Sequence, residues 1–532
     1  MRLFIFFLLA GWLLSGCANK VAPTGGTKDI LPPTVVSVSP PQRSLNLTSG
    51  KIVITFDEYV QLKDINKQLV ISPIISPPPR IYVLKKSVVI ELPDSLRSNT
   101  TYTINFGNAI ADNNEGNPLP QYHYTFSTGT FIDSLKVTGK ILNAETGKPE
   151  KGSLALLYKS TIADSSLLKI PPDYFTRASD EGNFVIENIR DGKYKLFGLV
   201  DKSNNYLLDP KDEFAGFEIL PVDPKDSLNF EIRVAKQPAE KQLAKGSSID
   251  EAGKLITAFT KPVTQLSWKF ITDEPDEIIR EKSVNNDTII FYCLPAQSDS
   301  VKIAWYENEI LIDTVLYKKA RVAGSSSTAA KNNSAAWKSD PAQGGSLKGD
   351  SHPIIKWSAP VIAFDTLKIQ LWKDSVQLPV SVSFLDSIQT QMQLTGTWSE
   401  GIYTLKLFPA AITDFFSRSN DSVVVTFTVP GERSIGTISY KLNSLVRANY
   451  ILQLVNDKDE VIRQRFNSGV SEGTFEMVEP GIYRLRLITD NNNNHIWDAG
   501  DVRKGVQPEE IDYHFEKLTV RANWEVETTW NR

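Results

Sequence analysis

From residue 32 onward, short runs of β-branched and aromatic residues alternate with turn clusters, and this restricts the fold more than any other feature. Examples are 51–56 (KIVITF), 87–92 (SVVIEL), 101–106 (TYTINF) and 122–127 (YHYTFS). Runs this short, broken by Pro, Asn and Gly, fit half-buried strands and not helices. Only 247–259, which opens on a Ser/Asp cap signal, is expected to hold a short helix. The expected fold class is therefore all-β, made of antiparallel sandwiches. A chain of 532 residues exceeds what one core supports, since cores stop growing near ~250–300 residues, so several domains are required.

Two internal repeats set the expected boundaries. KIVITFDEYV from Lys51 aligns with HPIIKWSAPV from His352 at an offset of 301, placing Phe56 on Trp357 and Val60 on Val361. The same offset carries Tyr102-Thr103-Ile104 onto Tyr403-Thr404-Leu405, and Thr125-Phe126 onto Thr426-Phe427. One module type thus occupies 32–129 and 351–430. A second follows each copy, at 130–238 and 431–532. In it Gly139 matches Gly436, Gly182-Asn183-Phe184 matches Gly473-Thr474-Phe475, and Gly192-x-Tyr194 matches Gly481-x-Tyr483. Between the halves, 246–320 contains the strand-like stretches TIIFYC and VKIAW. The segment 321–350, rich in Ser, Gly, Ala and Asn, is expected to be a flexible linker with Trp337 as a chance exposed aromatic.

The first module resembles the bacterial Ig-like domain of the type first described in S-layer proteins. The resemblance rests on PPTVVSVSPP (32–41), VITFDEYV (53–60) and YTINFGNAIADNNEGN (102–117). It implies a spacer or interaction sandwich and not catalysis. The copy at 351–430 lacks the double proline and the Asp57-Glu58 pair, and is read as a diverged Ig-like domain. The second module type looks like the transthyretin-like sandwich found as regulatory or carboxypeptidase-associated modules. The segment 246–320 stays an unassigned β domain.

The amino terminus, MRLFIFFLLAGWLLSGC, places Arg2 before an unbroken apolar run to Leu14. That is a signal-peptide pattern, too short to span a bilayer, where ~20 apolar residues are needed. Its close, Leu14-Ser15-Gly16-Cys17, resembles the bacterial lipobox. The expectation is a signal peptide at 1–16, a lipid on the Cys17 thiol, and a tether at 17–31. Ala18 is not the aspartate of an inner-membrane retention signal, which favours the outer membrane. The chain resembles a Bacteroidetes-type envelope lipoprotein. It lacks the run of acidic residues that follows the cysteine in some surface-exported members, so the periplasmic face is expected.

A loop occurring twice carries the sharpest chemistry. DKSNNYLLDPKD begins at Asp201 and DNNNNHIWDAGD at Asp490, an offset of 289. Oxygen side chains fall at positions 1, 3, 5, 9 and 12: Asp201, Ser203, Asn205, Asp209 and Asp212, then Asp490, Asn492, Asn494, Asp498 and Asp501. That spacing is the ligand pattern of an EF-hand loop and suggests structural Ca²⁺. Position 6, usually glycine, is Tyr206 or His495, and position 12 is Asp where the longer Glu is usual, although Glu213 adjoins the first loop. The competing reading is an Asx-turn loop satisfied by its own side chains.

Several function classes are disfavoured. The formal net charge of −4 becomes −5 without Arg2, and this argues against nucleic acid as a partner. Cys17 and Cys293 are the only cysteines, so no disulfide framework is expected once Cys17 is acylated. His123, His352, His495 and His514 form no zinc motif, and no nucleophile elbow, P-loop or dinucleotide fingerprint occurs. Asp57 and Glu58 neighbour each other on a strand and should face apart. Trp268, Trp305, Trp357, Trp398 and Trp497 are expected mainly in cores or at edges, although they could form a sugar-stacking platform. The expected function is non-enzymatic: a membrane-tethered rod of sandwiches that scaffolds or contacts an envelope protein or glycan. A carbohydrate- or peptide-binding adhesin is the alternative.

Overall fold

A computed structural model of the chain describes residues 28–532, except 164–165, 167, 210–212, 247, 250–252, 273, 284–285, 295–299, 320–333, 349–350, 432–433, 444–448, 469 and 532. Among the described residues the chain is β nearly throughout, and helix is confined to Ile65–Gln68 and single 3-10 turns. No described helix is long and apolar enough to cross a membrane.

In the first module, strands Val35–Ser39, Gly50–Phe56, Ser87–Leu92 and Arg80–Leu84 form one sheet in that order. It faces a second sheet of Val70–Ser72, Thr101–Asn105 and His123–Ser127. Alternation in Gly50–Phe56 turns Ile52, Ile54 and Phe56 inward, where they meet Tyr102, Ile104, Tyr124 and Phe126. Tyr102 stacks on Phe126 at 5.3 Å. The later copy repeats this layout. Trp337–Asp340, Ile354–Trp357, Gln391–Thr395 and Ser381–Phe384 make one sheet, and Ile369–Lys373, Gly401–Leu407 and Val423–Val429 lie in the other. Tyr403 stacks on Phe427 at 5.4 Å, the same pair at the offset of 301.

That copy starts earlier than the sequence suggests. Residues 337–340, expected within a linker spanning 321–350, form an edge strand whose Trp337 pairs in register with Trp357. Ala335 and Leu347 are buried in the same core. The composition misleads because an edge strand needs only main-chain N–H and C=O groups, which small polar residues supply as well as large ones.

The second module type also appears twice with one topology. Leu135–Asn143 runs parallel to Asn229–Lys236 and antiparallel to Asn183–Ile189. Its counterpart Gly436–Asn443 runs parallel to Glu525–Asn531 and antiparallel to Glu472–Val478. The matched glycines have a steric cause. A Cβ on Gly139 would collide with the Phe230 carbonyl and the Phe184 ring, and one on Gly436 would lie 2.6 Å from Val520 Cγ1. The Gly-x-Tyr pairs place Tyr194 Oη on the Arg190 carbonyl at 2.8 Å and Tyr483 Oη on the Glu479 carbonyl at 2.9 Å.

The middle segment is an eight-stranded sheet curled over one core. Phe291 and Trp305 stack at 5.5 Å although their strands, Thr288–Leu294 and Ser300–Glu307, are not neighbours in the sheet. The expected helix at 247–259 is absent from the described residues. Lys254–Phe259 is a strand with alternating burial, because Leu255, Thr257 and Phe259 bury one face against the core.

The modules do not contact only their neighbours in sequence, as the expected rod would. The second and fifth touch directly. Gln237 Oε1 accepts from Val502 N at 3.0 Å, Phe217 O accepts from Gln507 Nε2 at 2.7 Å, and Lys148 pairs with Asp459 at 2.8 Å. The middle module packs Tyr292 against Ala359 and Phe415 of the later Ig-like copy.

Candidate functional site

Each acidic loop leaves the end of a central strand, Tyr194–Val200 or Gly481–Thr489. The two share one hydrogen-bond pattern. Asp201 accepts from Asn205 N at 3.3 Å and Tyr206 N at 2.8 Å, and Asp490 accepts from Asn494 N at 3.1 Å and His495 N at 2.9 Å. Asn205 Oδ1 accepts from Leu207 N, and Asn494 Oδ1 from Ile496 N. Asn205 Nδ2 donates to Asp209 at 3.2 Å, and Asn494 Nδ2 to Asp498 at 2.9 Å. Tyr206 and His495 have φ of 62° and 65°, the left-handed conformation that a glycine would take at this loop position.

The remaining members differ. Ser203 Oγ donates to Asp201 at 3.1 Å, and Asn492 Nδ2 donates to Asp498 at 2.7 Å. Asp501 turns away to cap Val502–Lys504 and pair with Arg503 at 3.0 Å. Asp212 and the lipidation candidate Cys17 lie outside the described residues. Among the described residues, no group of three or more His, Cys, Asp or Glu side chains is placed to hold a metal ion.

Two buried glutamates clasp these loops: Glu213, which adjoins its loop in sequence, and Glu509, which spacing does not reveal. Glu213 Oε1 accepts from Lys202 N at 2.8 Å, and its Oε2 accepts from Asp209 N at 2.8 Å. Glu509 Oε1 accepts from Asn491 N at 2.7 Å, and its Oε2 from Asp498 N at 3.1 Å. Both therefore bridge loop positions 2 and 9. They sit at different sequence offsets, so the repeat alignment passes over their equivalence. Burial raises the Glu509 carboxyl above its ordinary value, and the nearby charges of Asp498 and Asp490 add to the rise against the two N–H donors.

Over the second copy, loop residues 494–497 overhang the outer face of the sheet and enclose an open cleft of about 620 Å³. Register sets its floor as two cross-strand rows. Phe466, Ile451, Ile488 and Ile511 form an apolar row, and beside it Gln464, Gln453 and Arg486 form a polar one that continues to Tyr513, whose Oη donates to the carbonyl of Glu145, a second-module residue that also lines the cleft. Arg486 Nε donates to Gln453 Oε1 at 2.7 Å, and Gln453 Nε2 to Gln464 Oε1 at 3.2 Å. His495 stacks on Phe466 at 4.5 Å, and Trp497 lines the cleft with its Nε1 held by the Glu509 carbonyl.

The first copy has this row in apolar form, as Phe175, Leu156, Phe197 and Phe217. There Val70 of the Ig-like module packs on it, and Ser72 Oγ accepts from Phe175 N at 3.0 Å. Tyr206 covers Phe175 at 4.7 Å, as His495 covers Phe466.

Other candidates are spent on packing or capping. Trp305 and Trp357 are core residues, Trp268 leans on Phe291, and Trp398 donates to His352 at 2.9 Å. Asp57 turns to Thr34, whose N and Oγ1 donate at 2.8 and 2.5 Å. Those bonds hold its carboxyl below the ordinary value, while burial and then Asp112 and Asp57 push Glu58 above its own.

Residues 29–128 match the bacterial Ig-like domain. The chain thus contains a bacterial Ig-like domain at its described amino-terminal end. Among curated proteins no sequence matches. Similar solved structures include the S-layer protein rSbsC, at 13% identity over 87% of this chain with a TM-score of 0.15. This chain spans 64% of that protein's length. The major pilin subunit BcpA of Bacillus cereus is 9% identical, covering 75% of this chain and 99% of that one, with a TM-score of 0.14. The tandem Ig repeats of Dlar are 8% identical over 36% of this chain and 100% of that one, with a TM-score of 0.15.

Proposed function

We propose that the chain is a non-enzymatic envelope lipoprotein, anchored through lipid on Cys17 to the periplasmic face of the outer membrane, where its β modules scaffold or contact another envelope component. The observation that carries this reading is the leader ending Leu14-Ser15-Gly16-Cys17, set before sandwiches of Ig-like type. Inter-module bonds such as Val502 N to Gln237 Oε1 support a scaffold that holds a defined shape. Structural Ca²⁺ in the paired loops belongs to the same reading. It is supported by the left-handed backbone at Tyr206 and His495 and by the repeated sequence spacing of Asp490, Asn492, Asn494 and Asp498.

Metabolic labelling with a palmitate analogue tests the anchor. The wild-type chain should take up label and fractionate with the outer membrane, and Cys17→Ser should lose both. An unlabelled wild-type chain would end the proposal. The second reading, a carbohydrate- or peptide-binding adhesin, is favoured by the open cleft over the carboxy-terminal sandwich.

A further inference from the structure

We propose that the cleft on the outer face of the carboxy-terminal sandwich binds an acidic saccharide, with Arg486 receiving its carboxylate. The inference deepens the second reading above, and it stands on the cleft and not on the lipid anchor. Its starting point is the contrast between the two copies of one sheet. Where the first presents Phe175, Leu156, Phe197 and Phe217 to a covering domain, the second lines an open cleft with Gln464, Gln453 and Arg486, beside Glu145 of the second module. An apolar partner seated there would bury the remaining Arg486 and Gln464 donors without acceptors, which is costly. The second face is therefore suited to a polar occupant.

Its chemistry follows from the lining. Arg486 is half-buried and spends two donors, on Gln453 Oε1 at 2.7 Å and Tyr513 Oη at 3.4 Å. A guanidinium has five N–H donors, and among the described residues no carboxylate pairs with this one. A half-buried cation with donors to spare selects an anion, and its fork matches a carboxylate. The Gln464 amide adds hydrogen-bonding capacity at the exposed end of the row, suited to hydroxyls. The stacked Phe466 and His495 rings offer a flat wall for the apolar face of a pyranose. Phe466 is 45% exposed, so its ring is open to a ligand. The cleft volume of about 620 Å³ falls within the ~300–1,000 Å³ of small-ligand sites.

The test is calorimetric titration of the chain from residue 17 onward, carrying Cys17→Ser, with an oligogalacturonate and with the same oligomer after carboxyl reduction. The acidic oligomer should bind, and the reduced one should bind about ten- to a hundredfold more weakly, the loss expected when a charge-assisted pair is removed. Arg486→Gln should weaken binding by a similar factor, with the melting temperature read alongside to separate lost affinity from the lost Gln453 bond. Should that variant fold poorly, Gln464→Glu alters an exposed side chain and should repel the oligomer through its new carboxylate. Lys151→Gln, an exposed residue of another module that pairs with Asp180 and does not line the cleft, serves as the control and should bind as wild type. The proposal is overturned by absent binding, by equal binding of the reduced oligomer, by an unaffected Gln464→Glu, or by poly-glutamate binding as tightly as the saccharide. Because the protein is purified without its lipid, failure here leaves the anchor proposal standing, and failed lipidation leaves this one.

Discussion

Replacing Asp490 with alanine separates the two roles open to the acidic loops. The side chain is 2% exposed and accepts two backbone bonds, from Asn494 N at 3.1 Å and His495 N at 2.9 Å. Hydrogen bonds to a charged acceptor are worth about 1.5–3 kcal/mol each, giving an upper bound of about 3–6 kcal/mol. Residues 491–495 are exposed, so water can satisfy both freed N–H groups, and the expected loss is about 2–3 kcal/mol. For a module of roughly a hundred residues this lowers its transition by roughly 8–20 °C. A multi-domain chain melts in several steps, so the module's own transition is the one to follow. Differential scanning calorimetry in chelator and in Ca²⁺ is the assay, with hydrogen exchange of the His495 amide as a local reporter. A loop held by its own bonds loses stability equally in both buffers. A calcium loop gives a wild-type transition that rises with Ca²⁺ and a variant that loses part of the rise. A variant transition unmoved in chelator refutes the role given to the Asp490 bonds, and a wild-type protein indifferent to Ca²⁺ removes the metal.

Further outcomes are expected elsewhere. Gly139→Ala should destabilise the second module by about 1–3 kcal/mol, the usual cost of overpacking, since the new Cβ meets the Phe230 carbonyl and the Phe184 ring; chemical denaturation checks this, and a neutral effect would contradict the close parallel pairing. Cys293 is buried, which pushes its thiol up to about 12, so a thiol reagent should label it only after unfolding, and labelling at native-state rates would place it at the surface. The hydrogen bonds from Thr34 lower the Asp57 carboxyl from 3.8. Their stabilisation is full above that value and lost as pH falls through the lower folded one. Acid titration of the first module followed by tryptophan-free near-UV signals should show Asp57→Ala less stable than wild type at neutral pH, with the gap closing in acid; a gap independent of pH would contradict the assignment.

Local pattern determined a good deal of this protein. Period-two alternation marks the strands of 50–56 and 481–489, and the repeated tyrosine and phenylalanine at the offset of 301 mark the stacked pairs in both Ig-like cores. The paired glycines Gly139 and Gly436 are legible for the same reason: each meets a constraint set within its own module. The tertiary structure alone decided which groups answer each other across distance. It made an edge strand of 337–340, where composition suggests a linker, because Trp357 and its neighbours offer a strand edge to pair with. It turned 254–259 into a strand because a core face was available to bury. It drew Asp501 to Arg503 and put Glu509 at the centre of the loop, a substitution invisible to spacing because the glutamate arrives from a later segment. Whether a sheet face is covered depends on what packs against it. Thus Phe197 and Arg486 occupy equivalent positions, one sealed beneath a neighbouring module and the other half-buried in an open cleft.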